Sequence, residues 1–243
     1  MKRFFISFSI LVLASLACQT LTSPGGNNVT PTSIVDFSTI TPDVPTIVPT
    51  TPTTTAPQAN VLFEDDFSNP ASNWSTGEDG EAKLAIEDGT FHIQIKVPQN
   101  LYWTTAGENL TDVHIDVDSE KLAGPDPAEY GVVCRYNEAN GIYNFYYLVI
   151  AGDSYAAIVK IVNGEQQEIS ARDLKFDAIQ GGNASNHITA ECVANRLSLS
   201  ANGKELLSVT DDTHTSGDVG LIATTYEEGG VDIKFDNFVV TAP

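Results

Sequence analysis

The segment Phe91-His-Ile-Gln-Ile-Lys-Val97 alternates apolar and polar side chains at every position. Residues that alternate in this way lie on opposite faces of a β-strand, so its four apolar side chains would share one face. The segment Val113-His-Ile-Asp-Val117 repeats the pattern. Both segments predict antiparallel strands with one face on a core and the other turned to water.

Similar strand patterns continue to the end of the chain, and no helical periodicity is longer than two turns. The dipeptides Asn163-Gly164 and Asn202-Gly203 favour tight hairpin turns, because both residue types tolerate positive φ. So many short strands favour two stacked antiparallel sheets, a β-sandwich of jelly-roll type, over residues 60–243. The later predicted strands are 130–136, 142–150, 155–162, 187–193, 197–201, 205–209, 219–224 and 231–240.

Several local signatures follow one another in a recognisable order. They are Phe63-Glu-Asp-Asp-Phe67, Trp74, Tyr130-Gly-Val-Val-Cys-Arg-Tyr136, Tyr143-Asn-Phe-Tyr-Tyr147, Leu197-Ser-Leu-Ser-Ala-Asn-Gly203, Gly217-Asp-Val-Gly-Leu221 and Val231-Asp-Ile-Lys-Phe-Asp-Asn-Phe238. The domain resembles the concanavalin A-like lectin/glucanase superfamily, and within it the laminin-G-like and 3-keto-disaccharide hydrolase-type domains of bacterial surface proteins. The resemblance covers nearly all of residues 60–243. It implies glycan binding, glycoside cleavage or a structural adhesion module, since one scaffold hosts many activities.

The amino terminus has the order of a bacterial export signal: Lys2 and Arg3, an apolar run over residues 4–16, and then a small residue before Cys18. Ser15-Leu-Ala-Cys18 resembles the lipobox of bacterial lipoproteins, although Ser15 stands where leucine is favoured. We therefore expect residues 1–18 to be a lipoprotein signal peptide with Cys18 as the lipidated residue. An ordinary secretory signal is the alternative. A transmembrane helix is disfavoured, because the run is shorter than the ~20 residues of a span.

Residues 19–59 have a different composition, with twelve Thr, seven Pro and no Lys or Arg. Such a segment cannot bury enough apolar surface to fold, so we expect a disordered stalk. In extended polyproline form it would reach roughly 120 Å. A stalk after a lipidated cysteine would hold the domain away from the outer face of the bacterial cell membrane.

The charge balance restricts the partners. The chain has 12 basic and 32 acidic residues and a net charge of −20. An acidic surface repels nucleic acid phosphates and anionic lipid head groups. We therefore expect no nucleic acid partner and membrane contact through the lipid anchor only. The expected protein is a monomer with a glycan or a cell-envelope component as its partner.

Two cysteines remain in the predicted domain, Cys134 and Cys192. Both lie on the apolar side of their strands, and disulfides persist in exported proteins. We predict a disulfide, with two buried free thiols as the alternative. The chain has no CxxC motif and four scattered histidines, which is unlike a zinc site, and we expect no cofactor.

One candidate for catalysis is His114-Ile-Asp-Val-Asp-Ser-Glu120. It is loosely similar to the Glu-x-Asp-x-Glu strand of laminarinase-like glucanases. A retaining mechanism needs two carboxylates about 5 Å apart, which Asp116 and Asp118 could supply. The alternative is that both simply face water, because the intervening apolar residues need the core side.

A candidate ligand platform lies on two neighbouring strands. Alternation places Arg135 on the exposed face if Cys134 faces the core, and it groups Tyr143, Phe145 and Tyr147 on one face of the next strand. Aromatic rings beside an arginine suit a sugar, whose ring stacks while its hydroxyls form hydrogen bonds. They equally suit an ordinary sandwich core, because aromatic side chains bury the most surface.

Acidic residues also open and close the domain. Asp66 near its start and Asp236 near its end could meet, because the first and last strands of jelly rolls often lie side by side. Carboxylates of this kind could hold a structural calcium ion, although no EF-hand spacing is present.

The leading interpretation is a surface-anchored, non-catalytic β-sandwich module that binds glycan or another surface partner. One alternative is a glycoside-degrading enzyme of the 3-keto-disaccharide hydrolase type. The other is a structural surface module with no ligand.

The lipobox-like segment generates a test of anchoring. When the full-length chain is made in a bacterial host, we expect it to sediment with membranes. Cys18→Ser should release it or leave it unprocessed, because no thiol is then available for lipidation. Immunoblots of membrane and soluble fractions measure the difference. Equal membrane retention of both forms would contradict the lipoprotein assignment.

Overall fold

A computed structural model describes residues 60–171 and 173–243. Within these residues the chain forms fifteen strands and no helix. None of the described residues therefore belongs to a helix that could cross a membrane. The strands form two antiparallel sheets stacked as a β-sandwich, which is the fold class that the sequence predicts.

The strands are β1 (Val61–Asp65), β2 (Gly77–Glu78), β3 (Ala82–Glu87), β4 (Thr90–Ile95), β5 (Leu101–Thr105), β6 (Val113–Ala123), β7 (Glu129–Ala139), β8 (Ile142–Ala151), β9 (Ala156–Val162), β10 (Glu165–Glu168), β11 (Ser185–Val193), β12 (Arg196–Ala201), β13 (Lys204–Thr210), β14 (Asp218–Thr224) and β15 (Val231–Thr241). Sheet A has nine strands in the order β13-β12-β11-β6-β15-β4-β3-β2, and β1 pairs with the second half of β15. Sheet B has six strands in the order β10-β9-β8-β7-β14-β5. The first and last strands of the domain are therefore neighbours, as expected.

Four of the hairpins in the described residues close with two-residue turns whose residues both have positive φ. Asn163 and Gly164 join β9 to β10 at φ values of 52° and 82°. Asn202 and Gly203 join β12 to β13 at 51° and 79°. This backbone matches the twist of the flanking strands, and asparagine and glycine adopt it at low cost. The turns thus fix the register of the paired strands.

The main core lies between the two sheets and follows the alternation of the sequence. Phe91, Ile93 and Ile95 of β4 are fully buried, whereas His92 and Gln94 between them are partly exposed. The same alternation along β6 buries its odd-numbered residues from Val113 to Lys121. Burial of such side chains is the main favourable term for folding.

Aromatic side chains fill the end of this core next to β1. The Trp74 ring lies 5.4 Å from Phe67 and 5.1 Å from Phe238, measured between ring centroids. The Trp74 indole N–H donates to the Asp65 carboxylate at 2.9 Å. This contact satisfies the polar atom of a buried tryptophan and ties the chain after β1 to the core.

Cys134 and Cys192 form a disulfide that links β7 of sheet B to β11 of sheet A. Both residues are fully buried. Because the cysteines are 58 positions apart, the chain-entropy model assigns the bridge a stabilisation of about 4 kcal/mol. The bond therefore holds the two layers of the sandwich together.

Arg135 does not lie on the outer face of sheet B, where alternation places it. The β7–β8 register shifts between Cys134 and Asn137, and Arg135 has a φ of 56°. A β-bulge of this kind inserts an extra residue and re-aims the side chains around it. The Arg135 side chain consequently points into the sandwich, where it is 1% exposed. Tyr136, which alternation places in the core, takes the outer face.

The buried guanidinium of Arg135 joins several segments of the chain. It donates hydrogen bonds of 2.8–3.3 Å to the backbone carbonyls of Thr111, Cys192, Ala194 and His214. The Asp112 carboxylate lies 3.4 Å from Nη2 and supplies a counter-charge. A buried arginine requires such partners, because an unpaired buried charge is very costly.

Replacing this guanidinium should destabilise the domain. Arg135→Met leaves four carbonyls without their donor, and each buried acceptor without a partner costs ~1–3 kcal/mol. We expect the free energy of unfolding of residues 19–243 to fall by at least about 3 kcal/mol in urea titrations. The control Arg196→Met, on the exposed side of sheet A, should cost less than about 1 kcal/mol. Losses of equal size in the two variants would contradict this role of Arg135.

Candidate functional site

The outer face of sheet B, which points away from the sandwich core, is apolar and aromatic. On β8, Tyr146 and Leu148 enter the main core, while Phe145 and Tyr147 belong to a separate cluster on the other side. This second cluster consists of Val133, Phe145, Tyr147, Val149, Ala157, Val159, Ile161 and Ile222, with Leu101, Trp103, Tyr136 and Tyr143 packed against it. The aromatic residues of β8 are therefore divided between two different environments.

Three rings at the margin of this cluster are partly exposed: Trp103, Tyr136 and Tyr143. We call these three residues the aromatic platform. The Trp103 ring centroid lies 5.0 Å from that of Tyr143 and 6.2 Å from that of Tyr136. The two tyrosine rings stack with a centroid distance of 6.3 Å. The three rings thus form one contiguous patch.

Phe145 and Tyr147 support the platform rather than extend it. Each is 1% exposed. The Phe145 ring packs 5.3 Å from Trp103 and 5.6 Å from Tyr136, between centroids. Of the three aromatic residues that the sequence analysis proposed as ligand contacts, only Tyr143 is placed where a ligand could reach it.

Two strands lie between the strands that carry Trp103 and Phe145, and each contains a closely packed glycine. Trp103 lies on β5 and Phe145 on β8, with β14 and β7 between them. A Cβ atom on Gly220 of β14 would lie 2.0 Å from the Thr104 carbonyl oxygen. A Cβ atom on Gly131 of β7 would come just as close to a backbone carbonyl of β8. Both positions therefore exclude side chains.

The platform also carries hydrogen-bonding groups. The Tyr136 hydroxyl donates to a Glu138 carboxylate oxygen at 3.1 Å. Burial raises the pKa of Tyr136 well above its usual value, and the hydrogen bond to Glu138 raises it further. Tyr136 therefore keeps its proton at physiological pH. Glu138 is exposed, so its second oxygen can accept a hydrogen bond from a ligand.

The candidate catalytic pair, Asp116 and Asp118, lies on the outer face of sheet A, on the other side of the sandwich from the platform. His187 of β11 bridges the two carboxylates. Its Nδ1 lies 2.8 Å from Asp118 and its Nε2 lies 3.2 Å from Asp116. Thr189 donates a further bond to Asp116 and Asn237 one to Asp118. Both carboxylates are thus already engaged within the protein.

This geometry favours the charged form of the Asp118 carboxylate. Partial burial raises the pKa of Asp118, but hydrogen bonds from His187 and Asn237 lower it by more, so the net pKa is lowered. Burial lowers the pKa of His187, but the two carboxylates raise it by more, so the net pKa is raised. A general acid in glycoside cleavage needs a raised carboxyl pKa. Asp118 has the opposite shift.

A cleft of about 340 Å³ borders this pair, with Glu120, Asn202, Lys234 and Asp236 among its lining residues. No Phe, Tyr or Trp side chain, the rings on which sugars usually stack, lines this cleft. Lys234 forms an ion pair with Glu120 at 2.5 Å. The cleft therefore lacks the ring surface that a sugar would stack on.

The proposed calcium residues are used locally. Asp66 accepts a hydrogen bond from the Ser68 backbone at 3.0 Å, and Asp236 accepts one from the Asn237 backbone at 2.7 Å. In residues 60–171 and 173–243, no three His, Cys, Asp or Glu side chains converge on a position that could hold a metal ion. The adjacency of β1 and β15 thus brings no such group of three side chains together among the described residues.

The expected signal peptide of residues 1–18, the lipidation site Cys18 and the stalk of residues 19–59 lie outside the described residues. Their assignments remain predictions from the sequence.

Two platform residues escaped the sequence analysis. Trp103 lies in Leu101-Tyr-Trp-Thr-Thr105, a short strand whose weak alternation gives little warning of a buried and an open face. Alternation along the strand predicts that Tyr136 faces the core, because a simple two-residue alternation gives no sign of the bulge at Arg135. A positive φ at a residue that is neither glycine nor asparagine cannot be recognised from a single sequence.

Comparisons with known proteins were made for the whole chain. No family model and no curated protein matches it. Solved structures do match it. The carbohydrate-binding module CBM66 from Bacillus subtilis has a TM-score of 0.56 and 14% identity, over 70% of this chain and 96% of that one. A protein of unknown function with a galectin-like fold, also from Bacillus subtilis, has a TM-score of 0.56 and 12% identity, over 75% and 96%.

The Bacillus licheniformis β-glucanase has a TM-score of 0.53 and 11% identity, over 76% of this chain and 100% of that one. Similarity at such low identity establishes the fold and not the activity. The domain has the concanavalin A-like jelly-roll fold.

The bridge at His187 generates a prediction on pH. The folded pKa of His187 is raised, so its stabilising contribution is complete below the unfolded pKa of about 6.5. The contribution is lost as the pH rises through the folded value. The free energy of unfolding of wild type should therefore exceed that of His187→Asn, and this excess should be larger at about pH 5.5 than at about pH 8.5.

Urea titrations of residues 19–243 at both pH values measure this difference. We expect the stability difference between wild type and His187→Asn to change by less than about 1 kcal/mol between the two pH values. The change is small because His187 and its two carboxylate partners are about half exposed. The change should shrink in an Asp118→Asn background, where one carboxylate is neutral. A difference that is independent of pH would contradict the bridge.

Proposed function

We propose that this domain binds glycan through the aromatic platform and does not cleave it. The observation that carries the proposal is the contiguous patch of Trp103, Tyr136 and Tyr143, three partly exposed rings in mutual contact on the outer face of sheet B.

The chemistry of the patch suits a sugar ring. Sugars have an apolar face of C–H groups that stacks on aromatic rings, and a rim of hydroxyls that needs hydrogen-bonding partners. Rigid rings offer a large contact area at a small entropic cost, and tyrosine and tryptophan each carry a polar group at the edge. The Glu138 carboxylate adds an acceptor beside the rings. Apolar surface with a few placed polar groups is the usual make-up of a ligand site.

The structural neighbours support a glycan-related function. One is named as a carbohydrate-binding module and another as a β-glucanase, so this scaffold is used by proteins that bind carbohydrate and by proteins that act on it. The fold alone does not choose between these activities, so the choice rests on the residues of the site.

Binding without cleavage is favoured by the placement of the acidic residues. The runner-up, a glycoside-degrading enzyme, would depend on Asp116 and Asp118. They lie on the opposite face of the sandwich from the platform, they are bridged by His187, and the pKa of Asp118 is lowered. A retaining pair needs one carboxyl group that holds a proton and space for a sugar between the two. A structural module without a ligand would leave the exposed rings of the platform unexplained.

The proposal includes a location. The lipobox-like segment ending at Cys18 and the Thr/Pro-rich residues 19–59 support a domain that is exported, lipid-anchored and displayed on a stalk outside the cell membrane. A displayed binding module is suited to holding glycan at the cell surface.

A glycan array with residues 19–243 tests binding, followed by calorimetric titration of the strongest ligand. Trp103→Ala and Tyr143→Ala should each weaken binding at least tenfold, since stacking of one ring contributes about 1.4 kcal/mol or more. The control is Tyr155→Ala, a partly exposed ring beyond the far end of β8 that packs under Lys175. Unchanged affinity in both platform variants would contradict the site.

The same preparations, incubated with the bound glycan, should release no reducing ends. Asp116→Asn should leave the affinity unchanged, because that residue lies on the other face. Hydrolysis that disappears in Asp116→Asn would instead establish the runner-up.

A further inference from the structure

We infer that the ligand of the aromatic platform is a glycan without acidic groups, and that Glu138 is the residue that excludes acidic ones. The inference rests on the proposed function and goes further, because it names the chemical class of the ligand from the charges around the site.

The first observation is where the cations lie. Among the described residues, six of the nine Lys and Arg side chains lie in or next to strands of sheet A; these are Lys83, Lys96, Lys121, Arg196, Lys204 and Lys234. Arg135 points into the core, and Lys160 is paired with Asp211 at 2.6 Å. Lys175 lies over the Tyr155 ring at 4.9 Å. Within this part of the chain, six cations thus belong to the other sheet, and the remaining three are held by partners other than the platform rings.

The second observation is what lies beside the rings instead. Glu138 is directly opposite Tyr143 in the β7–β8 register, and it accepts the Tyr136 hydroxyl at 3.1 Å. Asp218 is opposite Tyr136 in the β14–β7 register. Its carboxylate accepts the backbone N–H groups of Gly107 and Glu108, which fixes its charge near the platform. The rings are therefore bordered by negative charge.

These charges act on a ligand at short range. The Debye length is ~8 Å at physiological ionic strength, so a carboxylate or sulfate on a stacked sugar is poorly screened from Glu138. Recognition of such groups normally uses arginine or lysine, which form charge-assisted hydrogen bonds with them. A neutral sugar has hydroxyl groups that donate to a carboxylate, so the same Glu138 attracts one class of glycan and repels the other.

The test compares matched ligands. Residues 19–243 are titrated with the neutral oligosaccharide that gives the strongest array signal, and with the same oligosaccharide oxidised to the carboxylate at C6. We expect the oxidised form to bind at least tenfold more weakly than the neutral form. This ratio of the two dissociation constants, the affinity gap, should decrease as the salt concentration is raised. Glu138→Lys should reduce the affinity gap at least tenfold, while Glu138→Gln should reduce it by a smaller factor.

The control is Glu64→Lys, an exposed position on β1 in sheet A that makes the same change of charge. Glu64→Lys should leave the affinity gap unchanged, because the substitution changes only the net charge of the protein. Equal or tighter binding of the oxidised ligand by wild type would overturn the inference while leaving glycan binding intact. An equal effect of Glu64→Lys and Glu138→Lys would overturn the role of Glu138. If no glycan on the array binds, the proposed function fails and this inference fails with it.

Discussion

The buried guanidinium of Arg135 is the constraint on which most of this structure depends. Its positive φ is unfavourable for a residue with a side chain, and it is maintained because four backbone carbonyls and the disulfide next to it fix the bulge from several sides. The same bulge sends Tyr136 outward. One backbone irregularity therefore buries Arg135 in the core and places Tyr136 in the aromatic platform.

The two outer faces of the sandwich have become chemically distinct. Sheet A presents ion pairs such as His187 with Asp116 and Asp118, and Lys234 with Glu120, which keep that face solvated and their carboxylates occupied. Sheet B presents aromatic and aliphatic side chains. Partly exposed rings in contact are costly in water unless a ligand covers them. Asp116 and Asp118 therefore lie on one outer face of the sandwich, and the aromatic platform lies on the other.

Much of the fold could be predicted from the sequence, because its signals are local. Alternation along segments such as 91–97 and 113–117 marks strands directly, and Asn-Gly pairs mark the hairpins that join others. The inward direction of Cys134 and Cys192 also follows from alternation, and the structure joins them. Short or irregular strands are harder to predict from the sequence. The strand Leu101–Thr105 lacks a clear period, and its position at the edge of sheet B is set by pairing with a segment more than a hundred residues away.

The sequence by itself determined the all-β class, the resemblance to concanavalin A-like domains, the acidic surface and the likeness of its first residues to a lipoprotein signal. Each of these depends on composition or on neighbours along the chain. Only the tertiary structure decided that Arg135 is buried, that Asp116 and Asp118 share His187, and that Trp103 meets Tyr143 across two glycine-bearing strands. The physical reason is that bulges, cross-sheet hydrogen bonds and ring contacts depend on the register between distant strands, which no local pattern encodes.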